Sequence, residues 1–192
     1  MEKIILDIIT DLKNERRIDS KRLQNTIHAY NRTLPKGEPI AAKRKLLPYY
    51  TAIKRDQPER WQSWGIDPAL EKKFLQTIQM KPRRTASGVA TITVITKPWM
   101  CSSNCLYCPN DVRMPKSYLS DEPACQRAEL NFFDPYLQTA ARLHVLNTMG
   151  HVTDKIELIV LGGTWNDYPK AYQTWFIKEV FRALNDSKEA LN

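Results

Sequence analysis

The stretch Gly88-Val-Ala-Thr-Ile-Thr-Val-Ile-Thr-Lys97 is β-branched nearly throughout and apolar at alternate positions. Such a run predicts a buried strand, and Pro98 stops it because proline cannot donate to a sheet ladder. The strand divides two kinds of pattern. Before it, apolar residues recur at helical spacing: Ile4, Ile5, Ile8, Ile9 and Leu12 in a helix ending near Asn14, then Leu23, Ile27 and Tyr30 in a second helix capped by Ser20. Leu34 to Pro39 breaks regular structure, Ala41 to Ile53 reads as helix on both sides of Pro48, and a turn holds Trp61 and Trp64. Asp67 and Pro68 open a helix with Leu70, Phe74 and Ile78 on its buried side. Residues 1–84 therefore predict an all-helical domain.

After the strand the order changes. A loop runs to about Glu122, then a helix from Pro123 to Met149 with a break near Pro135. Lys155 to Leu161 forms a second strand ending at Gly162-Gly163, and Asn166 to Leu184 forms a helix with Tyr172, Phe176, Val180 and Leu184 on one side. Strand, loop, helix, strand and helix is the order of a parallel α/β sheet or barrel. The fold class is thus α+β or α/β, with residues 85–192 the start of the parallel part. Two parallel strands cannot bury both faces, so the pattern predicts only part of a larger domain.

The chain has 192 residues, 42% of them hydrophobic, enough for a packed core. No apolar run approaches the ~18 residues of a membrane span. Asp7 interrupts the apolar start and no small-residue cleavage site follows, which argues against a secretory signal. Charge is unevenly shared, with 20 Lys and Arg against 10 Asp and Glu up to Lys97, and 9 against 11 from Pro98 onward. The split suggests a polyanion partner for the first half, against the plainer alternative of solvated helix faces.

Four cysteines are present, and three of them, Cys101-Ser-Ser-Asn-Cys105-Leu-Tyr-Cys108, follow the first strand at once. A secreted disulfide scaffold would spread its cysteines, so this clustering points to a reducing cytoplasm and a metal site. Close spacing on one loop lets three thiolates converge on a four-iron, four-sulfur (4Fe-4S) cluster, leaving one iron open to a substrate. The loop also stands at the carboxyl end of a strand, where barrel and open α/β folds place their sites. Structural zinc with Cys125, His28, His144 or His151 as fourth ligand is the alternative. A ferredoxin-like carrier fits less well, because Cys125 does not stand in a ferredoxin run and reads as a small, partly buried residue at a helix start.

The spacing, with an aromatic residue directly before the third cysteine, resembles the radical S-adenosylmethionine (radical SAM) superfamily. That resemblance implies a partial TIM barrel, cluster ligation by Cys101, Cys105 and Cys108, and Tyr107 beside S-adenosylmethionine. Gly162-Gly163-Thr164 stands where the superfamily has a Gly-Gly-acidic motif that meets the methionyl amine. A narrower resemblance rests on Arg84 to Gly88, Lys97-Pro98, Cys105 to Pro109, Ser117-Tyr118, Glu122-Pro123, Arg127-Ala128, Pro135 to Gln138, Gly150-His151, Asp154-Lys155 and Gly162 to Thr164 in order. Together these blocks resemble the catalytic subunit of Elongator and its single-chain bacterial and archaeal homologues, of which this chain would be an N-terminal part.

The family resemblance implies an acyltransferase-type enzyme that carboxymethylates C5 of the wobble uridine in tRNA, using S-adenosylmethionine and acetyl-CoA, with the rest of the barrel and an acetyltransferase-like domain lying outside this chain. The implied partners are the tRNA anticodon stem-loop, no membrane, and a second copy or the rest of a longer chain. Asn147 stands where many members carry a lysine that helps hold coenzyme A, and Pro109-Asn110-Asp111 where Pro-Gly-Gly is frequent. Phosphate contacts need accessible cations, for which Lys43, Arg44, Lys45, Lys54, Arg55, Lys81, Arg83 and Arg84 qualify, the last three leading straight into the strand before the cysteines. Tyr49, Tyr50, Trp61 and Trp64 either stack on loop bases or, at helical spacing, belong to the core. Two other functions stay open on the cysteines alone: a radical SAM enzyme for another substrate, and a nucleic-acid-binding module with structural zinc.

Overall fold

The computed structural model describes residues 1–109 and 111–189, so Asn110 and residues 190–192 lie outside it. Among the described residues the chain is α+β, with eight α-helices and one parallel pair of strands. It divides into two compact units: residues 1–86 with 148–151, and residues 87–147 with 152–192.

The first unit holds α1 (Glu2–Lys13), α2 (Ser20–Arg32), α3 (Lys43–Asp56), α4 (Pro58–Ser63) and α5 (Pro68–Ile78). Ile4, Ile5, Ile8 and Ile9 of α1 are buried with Leu23, Ile27, Leu46, Tyr50, Ile53, Leu70, Phe74 and Ile78. Each such side chain removed from water contributes about 1.5–3 kcal/mol, and the shared stripe selects helix over coil. The caps follow local chemistry. Asp19, not Ser20, opens α2, because Asp19 is extended and its carboxylate accepts the Arg22 N–H at 2.7 Å. Asp67 does the same for Leu70 at 2.8 Å, with Pro68 in the first helical turn. The expected turn at Trp61 and Trp64 is instead mostly the short helix α4.

Tyr50 is the polar node of this core. It is 2% exposed, donates to Glu71 Oε1 at 2.8 Å and accepts from Trp61 Nε1 at 2.9 Å. Residues 148–151 join the unit through Gln79, which donates to the Gly150 carbonyl at 2.9 Å. Gly150 has φ +78°, and a Cβ there would stand 2.5 Å from Leu47 Cδ2, so both backbone and space call for glycine.

In the second unit β1 (Ala90–Ile95) pairs in parallel with β2 (Ile156–Leu161), in the register Ala90↔Ile156 to Ile95↔Leu161. Between them lie α6 (Pro123–Leu130) and α7 (Pro135–Thr148), and α8 (Lys170–Glu189) follows β2. The expected Pro123–Met149 helix is broken outright at Asn131–Asp134, where Phe132 and Phe133 have φ of +55° and +54°. Asp134 then accepts the Leu137 N–H at 2.9 Å and restarts the helix. The last helix begins at Lys170, not Asn166, because a 3-10 turn occupies Trp165–Asp167.

Ala90, Ile92 and Val94 pack against Leu143, Leu146, Phe176 and Val180, so one sheet face is covered. The other face carries Thr91, Thr93, Ile95, Glu157, Ile159 and Leu161; Thr91, Glu157 and Ile159 are exposed and Thr93 half-buried, while at the carboxyl end Ile95 is buried with Met114, Cys125 and Ala128 and Leu161 packs against them. The strand expected to be buried is therefore buried mainly on one side, since a sheet face is hidden only where another layer meets it. The outer edge of β1 is closed at one point. Buried Gln138 accepts the Ile95 N–H and donates to the Ile95 carbonyl, both at 2.9 Å.

Candidate cysteine-loop site

The site grows from the carboxyl ends of β1 and β2. Directly after β1, Thr96 is buried and its Oγ1 lies 2.7 Å from the Tyr168 hydroxyl. Tyr168 gives its single proton to the Lys97 carbonyl at 2.8 Å, so Thr96 is the donor to Tyr168. The Lys97 N–H donates to the Tyr172 hydroxyl at 3.0 Å, and its ammonium sits 4.7 Å from the Trp99 ring and 4.8 Å from the Tyr172 ring. Burial pushes the Tyr172 hydroxyl up to about 12 and also raises Tyr168, so both hydroxyls stay protonated at physiological pH.

Directly after β2 the backbone passes Thr96 too closely for a side chain. A Cβ on Gly162, whose φ is +153°, would fall 1.9 Å from Thr96 Oγ1. Gly162 and Gly163 line a cavity of about 410 Å³ with Thr96, Tyr118, Val160, Leu161, Trp165 and Ile177. That volume lies in the range of small-molecule pockets.

The two loops meet at Cys101. Its Sγ is 3.3 Å from Thr164 Oγ1. Asp167 Oδ2 accepts the Ser102 N–H at 2.7 Å and the Ser102 hydroxyl at 3.0 Å, and the Asp167 carbonyl accepts the Trp99 indole N–H at 2.9 Å. The Ser102 N–H holds the Asp167 carboxyl below its ordinary range. Cys105 is exposed, in a turn closed by the Cys108 N–H donating to its carbonyl at 3.1 Å. Cys108 Sγ lies 3.5 Å from Ser117 Oγ. Tyr107 projects into solvent at 88% exposure, and a hydrogen bond with Cys105 pushes its hydroxyl up.

All four cysteines are free thiols. Among the described residues no group of three or more His, Cys, Asp or Glu stands gathered as a metal site. Cys125 is wholly buried with Ile95, Met114 and Ala128, and burial pushes its thiol up. It was expected to be partly buried; it is fully so.

Of the remaining predicted residues, Asn147 shares the second unit with this loop. Asn147 stands before the amino end of β2, where Thr153 donates to its Oδ1 at 2.9 Å. The basic residues belong to the first unit. Lys54 pairs with Glu71, and Arg55 with Asp56, while Lys43 and Lys45 are half-buried. Arg44, Lys81, Arg83 and Arg84 are exposed and make no ion pair among the described residues. Of the aromatics, Tyr50 and Trp64 are core, at 2% and 7% exposure, which removes both as stacking platforms. Thr96, Tyr168 and Asp167 were missed by sequence reasoning, and only the Asp-Tyr-Pro run after the glycines could have drawn attention to the last two.

No family model matches the chain. Individual relatives do. A protein named tRNA uridine(34) acetyltransferase from Methanocaldococcus infernus is 36% identical over 193 residues, covering 97% of this chain and 33% of the relative. A protein of the same name from Dehalococcoides mccartyi is 45% identical over 105 residues, 55% of this chain and 23% of the relative. Elongator complex protein 3 from Homo sapiens is 37% identical over 132 residues, 63% of this chain and 24% of the relative. The chain thus spans a third or less of the length of these relatives.

Its similarities are to proteins named for tRNA modification or for Elongator, and the first of them runs through both units. The chain belongs to the family of Elongator complex protein 3 and the tRNA uridine(34) acetyltransferases.

Proposed function

We propose that this chain supplies the tRNA-binding and cluster-binding portion of a radical SAM enzyme that modifies C5 of the wobble uridine, with acetyl-CoA as co-substrate of the whole protein. The observation that carries the reading is the meeting of Cys101 with Thr164 at 3.3 Å, which puts the thiol loop beside the glycine turn at the carboxyl ends of two adjacent parallel strands. The donor set fits an iron–sulfur cluster: three free thiols on one loop, with the fourth cysteine buried out of reach. Cys101, Cys105 and Cys108 would hold the cluster, which when bound supplies the electron that cleaves the sulfonium of S-adenosylmethionine.

The protein's own parts have simpler tasks. Gly162 and Gly163 let the backbone approach the methionyl end, and Thr164 offers it a hydroxyl. Burial behind Thr96, Tyr168 and Tyr172 keeps the end of β1 rigid beneath the loop. In the first unit Arg44, Lys81, Arg83 and Arg84 hold tRNA phosphates, the task for which their exposed, unpaired charges suit them. Relatives named as acting on tRNA uridine 34 support the substrate.

Anaerobic reconstitution of the chain tests the cluster. The expected result is about four irons and four sulfides per chain, lost in Cys105→Ala and kept in Cys125→Ala. Stoichiometric zinc without iron, or equal loss in both variants, overturns it. For the RNA half, reversing Arg83 and Arg84 to Glu should weaken tRNA binding and lower the salt slope by about one per lost phosphate contact. Unchanged affinity removes that surface from the proposal.

A further inference from the structure

The three cysteines are not held alike. Cys101 is braced on both sides by a single residue, Asp167, through the Trp99 indole N–H to its carbonyl and the Ser102 N–H and hydroxyl to its carboxylate. Asp167 is itself firmly set. Its N–H donates to the Thr164 carbonyl at 3.1 Å, and the neighbouring Trp165 and Tyr168 carbonyls both accept from Gln173 Nε2, at 3.0 and 2.8 Å. Gln173 is 8% exposed on α8, and Trp165 packs edge-on to Phe176 at 5.7 Å between ring centres, so the turn stands on the core. Among the described residues the partners of Cys105 and Cys108 lie within their own loop: the turn that joins them, Tyr107, Pro109 and Ser117.

We propose that Asp167 is the positioning residue of the cysteine loop, fixing Cys101 as the first cluster ligand while the Cys105–Cys108 arc closes onto it. The inference rests on the cluster reading above and adds to it an order of assembly. A charge-assisted pair of hydrogen bonds onto adjacent backbone and hydroxyl groups restrains Ser102, and so the Cys101 backbone, far more than the free arc is restrained. Asp167 also accepts from the Cys101 thiol, so it holds this ligand both directly and through Ser102 and Trp99.

The test reads each thiol separately in the metal-free chain, by alkylation with iodoacetamide and peptide mass spectrometry, so it does not depend on a loaded enzyme. In the unaltered chain Cys101 should react about tenfold more slowly than exposed Cys105, and Asp167→Ala should raise the Cys101 rate about tenfold while leaving Cys105 and Cys108 unchanged, the scale of one or two charge-assisted hydrogen bonds. Asp167→Asn removes the charge but keeps an acceptor, and should stay within about threefold of the unaltered chain. If Asn behaves like Ala, the effect is one of charge on the thiol and the positioning role falls. A uniform rise at all three cysteines also overturns it, because that is general loosening. Reconstitution run alongside should show iron uptake slowed in Asp167→Ala and restored in Asp167→Asn. No iron uptake by the unaltered chain would sink the cluster reading alone, with the alkylation ratios still deciding the brace.

Discussion

In the helical unit four of the five helices bury side chains in one shared core, whereas in the strand unit one sheet face is covered along its length and the other only at its carboxyl end, where Ile95 is buried against Cys125 and Ala128. The difference follows from element geometry. An amphipathic helix has one apolar stripe, which neighbours in the same short stretch of chain can cover. A strand pair has two faces and two edges, and helices following in sequence cover only the face they pack on. One region is a finished body and the other a platform, and the thiol loop and glycine turn are built on the platform, at its carboxyl end.

The sharpest way to break this comparison is to empty the finished core. Phe74→Ala should cost about 3–5 kcal/mol in denaturant unfolding, since Phe74 is fully buried against Tyr50 with ring centres 4.9 Å apart. A loss below about 1 kcal/mol would mean that the helical core is loosely packed. Next, Gly162→Ala should cost about 2–3 kcal/mol from the clash with Thr96 and the unfavourable φ, and adding Thr96→Ala should return part of it. Strictly additive losses would show that the close approach to Thr96 is not the cause.

Acid gives a smaller effect confined to the helical unit. Burial pushes Glu71 up, but hydrogen bonds from Lys54 and Tyr50 outweigh it and hold the carboxyl below its ordinary value of 4.5. The ion's contribution is therefore present above that value and lost as pH falls through the lowered one. Glu71→Gln should flatten the acid limb of a pH–stability curve by no more than about 1 kcal/mol, the scale of a partly exposed pair. An unchanged acid limb would assign that stability to other carboxylates. Smallest of all, Ile159→Thr on the exposed part of that face should change stability by no more than about 0.5 kcal/mol, and a core-sized loss would show that this part is covered after all.

The comparison also explains what could be read from the sequence. Ile4, Ile5, Ile8, Ile9, Leu70, Phe74 and Ile78 announced buried stripes because a helix displays its period within a dozen residues. The order of strands and helices after Gly88 was equally plain. The alternation of Ala90, Ile92 and Val94 with Thr91 and Thr93 marked β1 as a buried strand, but the pattern of one strand does not say which layer will meet each face. The break near Pro135 was legible from the proline, but not the positive φ of Phe132 and Phe133 that makes it, because phenylalanine rarely adopts that backbone. At the site, cysteine spacing and paired glycines were legible as motifs. The brace from Asp167 was not, because a lone aspartate 65 positions from Ser102 has no local pattern to betray it.

The amide of Gln138 gives the strand pair a grain. In a parallel ladder alternate residues address opposite borders, and Ile95 faces away from β2 while Thr96 donates to Leu161. With both Ile95 backbone groups taken by Gln138, a newcomer on that border would have to evict a buried side chain before forming its bonds there. Beside β2 no strand stands among the described residues, and no such toll applies. At Ile95, therefore, the β1 border is harder to extend than the border of β2.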